Sequence, residues 1–442
     1  MGVTNKNRFS GYVFAIALLV VNLWVPAQAV PEIQQWTTPN GARIMFIAAP
    51  SLPMVDVRVT FRAGSVRDGE HMGISRLTSK LLDEGAGDWS AIEIAERFDA
   101  TGAQFSSGTL RDMAWLSLRT LSDQKEFSHA LATFKAVLTQ PQFGDNAISR
   151  IKESMLTSLK SIEESPSALG ERGFYQALYS GHPYASPPSG NDEFLKSATA
   201  AQIKAFYARY YVARNAIISI VGDLDRKAAQ VLAEDLVASL PQGERAADLP
   251  SVTALEAAAR MRTEFPSTQT HIYIGQPGVS RLDPDYFVLY TGNYILGGSG
   301  LVSRLSEEVR EKRGLSYSVY SYFIPMEQSG PFQMKLQTRN DQVDEALQVM
   351  RDTLQRFIDD GPTDKELGAA IRGITGGFPL RIDNNSKLLQ YLAVIAFYDL
   401  PMDYLDTFPS RIEAVTGEQI RETFKRRLNP KRMATIIVGG QG

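Results

Sequence analysis

Hydrophobic positions along the chain follow two different spacings, and each spacing predicts a different element. Apolar residues three and four positions apart predict amphipathic helices, whereas short runs rich in β-branched and aromatic residues predict strands. The predicted strands cover residues 43–48, 55–61, 113–121, 271–276, 317–323, 332–337 and 433–438. The predicted helices cover residues 74–82, 91–99, 127–138, 146–162, 200–210, 284–295, 302–312, 343–359, 387–398 and 418–427. Since helices and strands mix without regular alternation, the sequence predicts an α+β fold with helices packed on mixed β-sheets.

An internal repeat divides the chain into two similar halves. The segment from Gln202 to Gly222 can be laid on the segment from Gln419 to Gly439, and both ends give the same offset of 217 residues. Each copy has the pattern of an amphipathic helix, a short connection and a buried β-branched strand that ends at glycine. Proline and glycine turn residues cluster after the first copy and mark a join. We therefore predict a first domain over residues 30–240, a linker over 241–258 and a second, homologous domain over 259–442.

The start of the chain has the pattern of an export signal. Lys6 and Arg8 give it a positive end, residues 12–25 are mostly apolar, and Ala27-Gln28-Ala29 supplies a small-x-small cleavage site. The alternative is a retained membrane anchor, but the apolar stretch is shorter than the roughly 20 residues that span a bilayer. We expect residues 1–29 to be a cleaved signal peptide, with the mature protein exported to the periplasm and not stably inserted in a membrane.

The composition of the chain excludes several classes of function. The chain has 442 residues, a formal net charge of −3 and no cysteine. The lack of cysteine excludes disulfides, thiol nucleophiles and zinc sites with cysteine ligands. Without a strongly basic patch, nucleic acid is not an expected partner. The four histidines are His71, His129, His182 and His271, and no two of them are spaced to share one helix face.

Motifs in both halves resemble one peptidase family. The first half carries Asn40-Gly41-Ala42-Arg43-Ile44, Gly64-Ser65, Gly73-Ile74 and Gly85-Ala86. The second half carries Gln269-Thr270-His271-Ile272, Leu296-Gly297-Gly298 and the distinctive Val309-Arg310-Glu311-Lys312-Arg313-Gly314-Leu315-Ser316-Tyr317-Ser318. Over nearly the whole mature chain, these motifs resemble M16-type (pitrilysin/insulinase) metallopeptidases. The resemblance implies the LuxS/MPP-like metallohydrolase fold, with two homologous domains that each contain a mixed sheet and packed helices.

The zinc motif of that family is altered at every functional position. Active members carry His-x-x-Glu-His on the helix that begins here near Gly73, because two neutral imidazoles bind zinc and the carboxylate acts as a base. This chain has Arg76, Ser79 and Lys80 at those positions. The family's further glutamate ligand would fall near Leu156, where the chain has Met155, Thr157 and Ser158 and no carboxylate nearer than Glu153. Since two cations would repel zinc, we expect no metal and no other cofactor in this chain.

No other catalytic set replaces the missing motif. His71 lies in a charged turn that is typical of a surface, and the serines lack the Gly-x-Ser-x-Gly elbow of a hydrolase. The glycines at 297, 298 and 300 are not followed by the Lys-Ser/Thr of a phosphate loop and predict a turn. His182-Pro183-Tyr184 matches a structural turn of the family.

Arg310 and Tyr317 match a pair that the family uses to hold its substrate. There, an arginine and a tyrosine at this spacing project from the second domain towards the zinc and hold the peptide backbone. A guanidinium offers fixed donors to peptide carbonyls, and a phenol can donate to the oxyanion of a tetrahedral intermediate. Spacing alone also allows another interpretation, in which Arg310 pairs with Glu307 or Glu308 and Tyr317 is an ordinary sheet residue.

The resemblance implies a non-catalytic, substrate-binding subunit of a heterodimeric zinc peptidase, inactive when alone. Such chains occur in bacterial two-subunit M16 peptidases and as alpha-type subunits of the mitochondrial processing peptidase. The expected partner is an M16 chain that brings zinc and His-x-x-Glu-His, and the expected ligand is a peptide. Two other classes remain open: a non-enzymatic peptide-binding or scaffold protein of the same fold, and a self-sufficient hydrolase with a different site.

Overall fold

The computed structural model describes residue 2 and residues 32–440. Apart from residue 2, the predicted signal peptide lies outside the described residues. Within the described part, no helix is both long enough and apolar enough to cross a bilayer. The strands are β1 (Gln34–Thr37), β2 (Arg43–Ala48), β3 (Met54–Phe61), β4 (Gly85–Ala86), β5 (Trp89–Ser90), β6 (Gln104–Thr109), β7 (Ala114–Leu121), β8 (Ala216–Gly222), β9 (Arg260–Thr263), β10 (Gln269–Pro277), β11 (Val319–Phe323), β12 (Pro331–Arg339) and β13 (Ala434–Val438).

Fourteen α-helices occupy much of the rest of the described chain. They are α1 (Ile74–Lys80), α2 (Ala91–Ala100), α3 (Gln124–Thr139), α4 (Asp145–Glu163), α5 (Pro166–Leu178), α6 (Asp192–Ser197), α7 (Ala200–Tyr210), α8 (Arg226–Val237), α9 (Tyr286–Asn293), α10 (Val343–Asp360), α11 (Asp364–Gly377), α12 (Asn385–Phe397), α13 (Tyr404–Glu413) and α14 (Gly417–Arg427).

Each half of the chain builds one mixed sheet. The first sheet has the strand order β1-β2-β8-β3-β7-β6, in which β2 and β8 are parallel and the other neighbours are antiparallel. The second has the order β11-β12-β10-β13-β9, in which β13 and β9 are parallel. Apolar side chains of the first sheet share a core with α1, α3, α4 and α7, and those of the second share a core with α9, α10 and α14. These layers confirm the predicted α+β class.

The two copies of the sequence repeat fold alike. Thr199 caps α7 and Thr416 caps α14, and in both caps the threonine hydroxyl accepts the backbone N–H of a glutamine three residues later. That glutamine's side chain accepts the backbone N–H of the threonine in return, which satisfies two donors that a helix start leaves free. Each helix leads through a short helical turn into a fully buried strand, β8 or β13.

The halves also exchange one helix each. Helix α5, from the first half, packs on β10 and β13 of the second sheet, while α12, from the second half, packs on β8 and β3 of the first sheet. Alternate residues of β13 show the two sides: Ile436 packs with α5, and Ile437 packs in the core of α9, α10 and α14. The Tyr273 hydroxyl of β10 donates to the Ser167 carbonyl of α5 at 2.7 Å. The two sheets are therefore interlocked through these helices.

A buried polar network joins the halves beside the exchanged helices. Arg62, which follows β3, forms an ion pair with Glu327 at 2.6 Å and donates to the Phe397 carbonyl at 2.9 Å. Asp112 accepts both the Glu327 backbone N–H and the Tyr398 hydroxyl, each at 2.9 Å. Burial raises the pKa of the Glu327 carboxyl, and the nearby Arg62 opposes that rise. Because buried charges are costly without partners, this network favours one fixed arrangement of the halves.

Candidate functional site

Helix α1 carries Arg76, Ser79 and Lys80, the three residues that the sequence predicts at the positions of the zinc motif. Arg76 is half-buried, Lys80 is exposed and Ser79 is buried with 2% of its surface accessible. The Ser79 carbonyl accepts the Ser107 hydroxyl of β6 at 3.5 Å. Residues four apart share a helix face, so Arg76 and Lys80 place two cations on the face where a zinc peptidase needs neutral ligands. Helix α1 packs against α7, β6 and β7, so it is part of the core of the first half.

The position predicted for the family's further ligand has no carboxylate either. In α4, Met155 is buried in the core, while Thr157 and Ser158 are exposed. Both hydroxyls donate to carbonyls of their own helix, Thr157 to Glu153 and Ser158 to Ser154, each at 2.9 Å. Among the residues that the structure describes, no group of three or more histidine, cysteine, aspartate or glutamate side chains could hold a metal ion. The residues present on α1 and α4 therefore do not fit a zinc ion.

An aspartate holds the start of α1. The Asp68 carboxyl accepts the backbone N–H of Gly73 at 2.7 Å and that of Ser75 at 3.1 Å. These N–H groups belong to the first turn, which lacks partners within the helix. Burial raises the Asp68 pKa to about 7, and the two backbone hydrogen bonds oppose the rise only in part. Asp68 is thus a positioning group for α1, and the sequence did not indicate that role.

Arg310 and Tyr317 lie side by side on the second half. Arg310 is in a π-helical turn, Ser306–Glu311, and the chain reverses at Gly314, whose φ is 61°. The Leu315 N–H then donates to the Val309 carbonyl at 2.9 Å, and Leu315 is only 3% exposed. This anchored reversal brings the Arg310 Cζ atom to 4.8 Å from the Tyr317 ring centroid, within the range of a cation–π contact.

Both side chains remain open to solvent. Tyr317 is 78% exposed, and the Arg310 side chain is 28% exposed. Arg310 meets Glu311 at 3.3 Å, whereas the Glu308 carboxylate is engaged by Lys312 at 2.7 Å and by Arg313 at 2.9 Å. Hydrogen bonds from Lys312 and Arg313 lower the pKa of Glu308 to about 2, although partial burial opposes this. The alternative pairing of Arg310 with Glu307 or Glu308 is therefore absent from the described structure.

Further aromatic residues follow the pair in the chain, and their exposure was not predicted from the sequence. Tyr320 and Tyr322 alternate with the buried Ser321 along β11, the edge strand of the second sheet. Their rings stack with centroids 5.9 Å apart and are 36% and 40% exposed. The only sequence signal for this surface is the period-two alternation of tyrosine and serine.

The histidines have structural contacts. His182 Nε2 is 2.9 Å from the Pro250 carbonyl, and His182 Nδ1 accepts the Tyr184 backbone N–H at 3.1 Å. His71 contacts Gln202 at 3.2 Å. Burial, assisted by the charge of Lys335, lowers the pKa of His271, which lies in β10. The contacts of His182 fit the structural turn that the sequence predicts, and the exposed His71 fits the predicted surface turn.

Comparison with known proteins places both halves in one family. Residues 43–192 match the family model described as insulinase (peptidase family M16), and residues 197–374 match the model described as peptidase M16 inactive domain. A crystal structure of a peptidase M16 inactive domain from Pseudomonas fluorescens is 38% identical, covers 93% of this chain and 98% of that chain, and has a TM-score of 0.90.

Two relatives from other bacteria are both named YmxG. The non-peptidase homolog YmxG of Helicobacter pylori is 25% identical over 437 residues, which cover 97% of this chain and 98% of that protein. The uncharacterized zinc protease YmxG of Bacillus subtilis is 27% identical over 360 residues, which cover 80% of this chain and 86% of that protein.

Proposed function

This chain belongs to the insulinase (peptidase M16) family, and we propose that it is the non-catalytic, substrate-binding subunit of a two-chain zinc peptidase. The partner in this proposal is an M16 chain that carries His-x-x-Glu-His and holds the zinc. The ligand is a peptide, and both chains act after export, in the periplasm. The chain would have no peptidase activity alone.

The observation that carries this proposal is the exposed contact between Arg310 and Tyr317. The Arg310 guanidinium meets a single carboxylate, Glu311, among the described residues, and the Tyr317 ring is 78% exposed. A guanidinium has five N–H donors, so most of those of Arg310 stay available. The anchored turn at Gly314 holds Arg310 in place while most of its N–H donors are unused. This arrangement favours binding of a ligand from outside the chain.

The contributions of the two side chains to peptide cleavage would differ. Arg310 can donate to backbone carbonyls of an extended peptide, and these contacts exist in both the ground state and the transition state. The Tyr317 hydroxyl can donate to the oxygen that becomes negative when a peptide carbonyl is attacked. The cation–π contact holds the two groups in one orientation, which reduces the entropy lost when a peptide binds.

Recovery of the complex from the exported fraction tests the proposal. A tagged full-length chain, expressed in its native cells, should be recovered with one M16 chain that carries His-x-x-Glu-His, and the complex should contain about one zinc ion. After the two chains are separated and dialysed, zinc should remain with the partner, because Arg76 and Lys80 would repel it here. Stoichiometric zinc on this chain alone, or recovery without any such partner, would contradict the proposal.

A second candidate is a non-enzymatic peptide-binding or scaffold protein of the same fold. Its support is the name of the Helicobacter pylori relative, a non-peptidase homolog that matches nearly the full length of this chain. The two proposals differ in their consequence for activity. A purified complex that binds peptides through Arg310 and Tyr317 but cleaves none would favour the scaffold.

A further inference from the structure

A cavity in the second half of the chain, whose lining includes neither Arg310 nor Tyr317, has a composition that favours an anionic ligand. It lies between α9, α12 and α13 and has a volume of about 300 Å³. Its walls are mainly aromatic and include Tyr286, Tyr290, Tyr391, Tyr404 and Phe408. Two arginines, Arg281 and Arg381, line the same cavity, and we call it the tyrosine cavity.

Among the described residues, the arginines of the tyrosine cavity lack an acidic partner. No carboxylate forms an ion pair with Arg281 or Arg381 in the part of the chain that the structure describes. By contrast, Arg62, Arg304 and Arg427 are each paired at 2.6 Å with a carboxylate. Among the described residues that line the tyrosine cavity, none is acidic.

Arg281 contacts aromatic rings and not carboxylates among the described residues. Its Cζ atom lies 5.9 Å from the Tyr286 ring centroid and 5.4 Å from that of Tyr398. Its Nε atom is buried and has no hydrogen-bond partner among the described residues. Arg281 also borders a smaller cavity that contains Glu327 and Asp399, but Arg62 engages Glu327, and Arg43 engages Asp399. A buried donor without a partner is costly, so a ligand that accepts from Arg281 would remove that cost.

Arg381 is held by phenols. Its Nη1 atom donates to the Tyr290 hydroxyl oxygen at 2.7 Å, and it also hydrogen-bonds to Tyr391. A phenol that accepts from a guanidinium keeps its own O–H free to donate. Burial raises the pKa of Tyr286 and of Tyr404, so both stay neutral and supply no negative charge. The cavity thus offers two guanidinium groups and phenol donors, and neither guanidinium forms an ion pair with a described carboxylate.

We propose that the tyrosine cavity binds a carboxylate carried on an apolar or aromatic body. The guanidinium groups and the Tyr290 O–H would receive the carboxylate, and the rings of Tyr286, Tyr404 and Phe408 would hold the body. The aromatic walls favour this class over a bare inorganic anion, which would lose its hydration and gain no apolar contact. The carboxylate could belong to the C-terminal residue of a peptide or to a free small acid.

Isothermal titration calorimetry on the isolated full-length chain tests this site without the peptidase partner. The probes are N-acetyl-phenylalanine, its amide, a five-residue peptide that ends in phenylalanine with a free or amidated terminus, and inorganic phosphate. We expect each free acid to bind about 10-fold or more tightly than its amide, because the charged acceptor makes the stronger hydrogen bonds. Tighter binding of the peptide acid identifies a chain terminus as the ligand, and equal affinity of the two acids identifies a small acid.

Variants assign the effect to the cavity. Arg281→Gln and Arg381→Gln should each weaken acid binding about 10-fold and leave amide binding unchanged, whereas the exposed Arg432→Gln should have no effect. Tyr290→Phe keeps the ring and removes one O–H donor, so it should weaken acid binding about 3-fold or more. This variant still tests the cavity if the arginine variants misfold. Equal affinity for acid and amide, wild-type binding in both arginine variants, or phosphate binding as tight as acid binding would overturn the proposal. Because no turnover is measured, its failure leaves the role proposed for Tyr317 untouched.

Discussion

Arg62 and Arg310 both lie beside an aromatic ring, but their other contacts differ. The Cζ atom of Arg62 is 4.7 Å from the Phe397 ring centroid, and that of Arg310 is 4.8 Å from the Tyr317 ring centroid. The Arg62 side chain is 6% exposed, and Glu327 and a backbone carbonyl accept its hydrogen bonds. The Arg310 side chain is 28% exposed and meets only Glu311 among the described carboxylates.

The comparison separates structural from functional use of the same side chain. At the junction of the halves, the donors of Arg62 are taken by groups from the opposite half, so that arginine fixes the arrangement of the two sheets. On the second half, the donors of Arg310 are mostly unused, although an anchored turn holds the side chain in place. Loss of contacts at Arg62 should therefore cost stability, and loss of Arg310 should cost ligand binding.

Removal of the acidic partner of Arg62 should give the largest loss of stability. Glu327→Ala leaves a buried guanidinium without its ion pair, a change that costs about 3–5 kcal/mol in comparable sites. We expect about 3 kcal/mol, because Asp399 remains 3.7 Å from Arg62. The free energy of unfolding from urea titration measures the loss. Lys196→Ala, which breaks an exposed pair with Asp192, is the matched control and should cost less than about 0.5 kcal/mol. A loss in Glu327→Ala as small as in the control would refute the assignment.

The carboxyl group at the start of α1 should make stability depend on pH. The Asp68 pKa is raised to about 7 in the folded chain, so between about pH 4 and pH 7 the folded state holds a proton that the unfolded state has released. Stability should therefore fall as pH rises through this window, by up to about 1.4 kcal/mol per unit. Asp68→Asn should flatten this slope in urea titrations at pH 5, 6 and 7, although the raised pKa of Glu327 leaves part of it. A wild-type slope that the variant retains in full would show that Asp68 is already ionised.

Arg310→Ala should have the smallest effect on stability. A largely uncommitted side chain at the surface contributes within about 0.5 kcal/mol to folding, so the unfolding free energy should stay close to that of the wild type. In the complex with the zinc-bearing partner, the same variant should raise KM for a peptide more than it lowers kcat. Destabilisation by more than about 2 kcal/mol, with unchanged KM, would make Arg310 a structural residue like Arg62.

The sequence pattern predicted the repeated units and most core strands, but it missed the exchanged helix α5. That helix contains Gly170 and Gly173, which weaken a helical pattern. The structure explains both glycines: a Cβ at Gly170 would lie 2.4 Å from the Tyr273 ring, and one at Gly173 would lie 2.3 Å from the Met261 side chain. Close packing of α5 on the second sheet therefore requires glycine at these two positions. The same two glycines weaken the local helical pattern, so the sequence did not predict α5.

The two candidate sites also differ in how far the sequence could predict them. Arg310 and Tyr317 are close in sequence, so the motif alone indicated that they could meet. In the region predicted as one helix, 302–312, residues Ser306–Glu311 form a π-helical turn, and the 3₁₀ turn Gly300–Val302 ends at its first residue. The arginines of the tyrosine cavity lie 100 residues apart in the chain, and only the tertiary fold brings them to one cavity. No local spacing could have predicted that site.

Substitution of Tyr317 in the intact two-chain complex tests the proposed function most directly. Tyr317→Phe keeps the ring against Arg310 and removes one O–H donor, while Tyr320→Phe makes the same change on the neighbouring edge strand. We expect Tyr317→Phe to lower kcat for peptide cleavage by roughly 10²- to 10³-fold, the usual cost of one oxyanion donor, and Tyr320→Phe to leave it unchanged. Wild-type turnover by Tyr317→Phe, in a complex shown by size-exclusion chromatography to be intact, would contradict the proposed role.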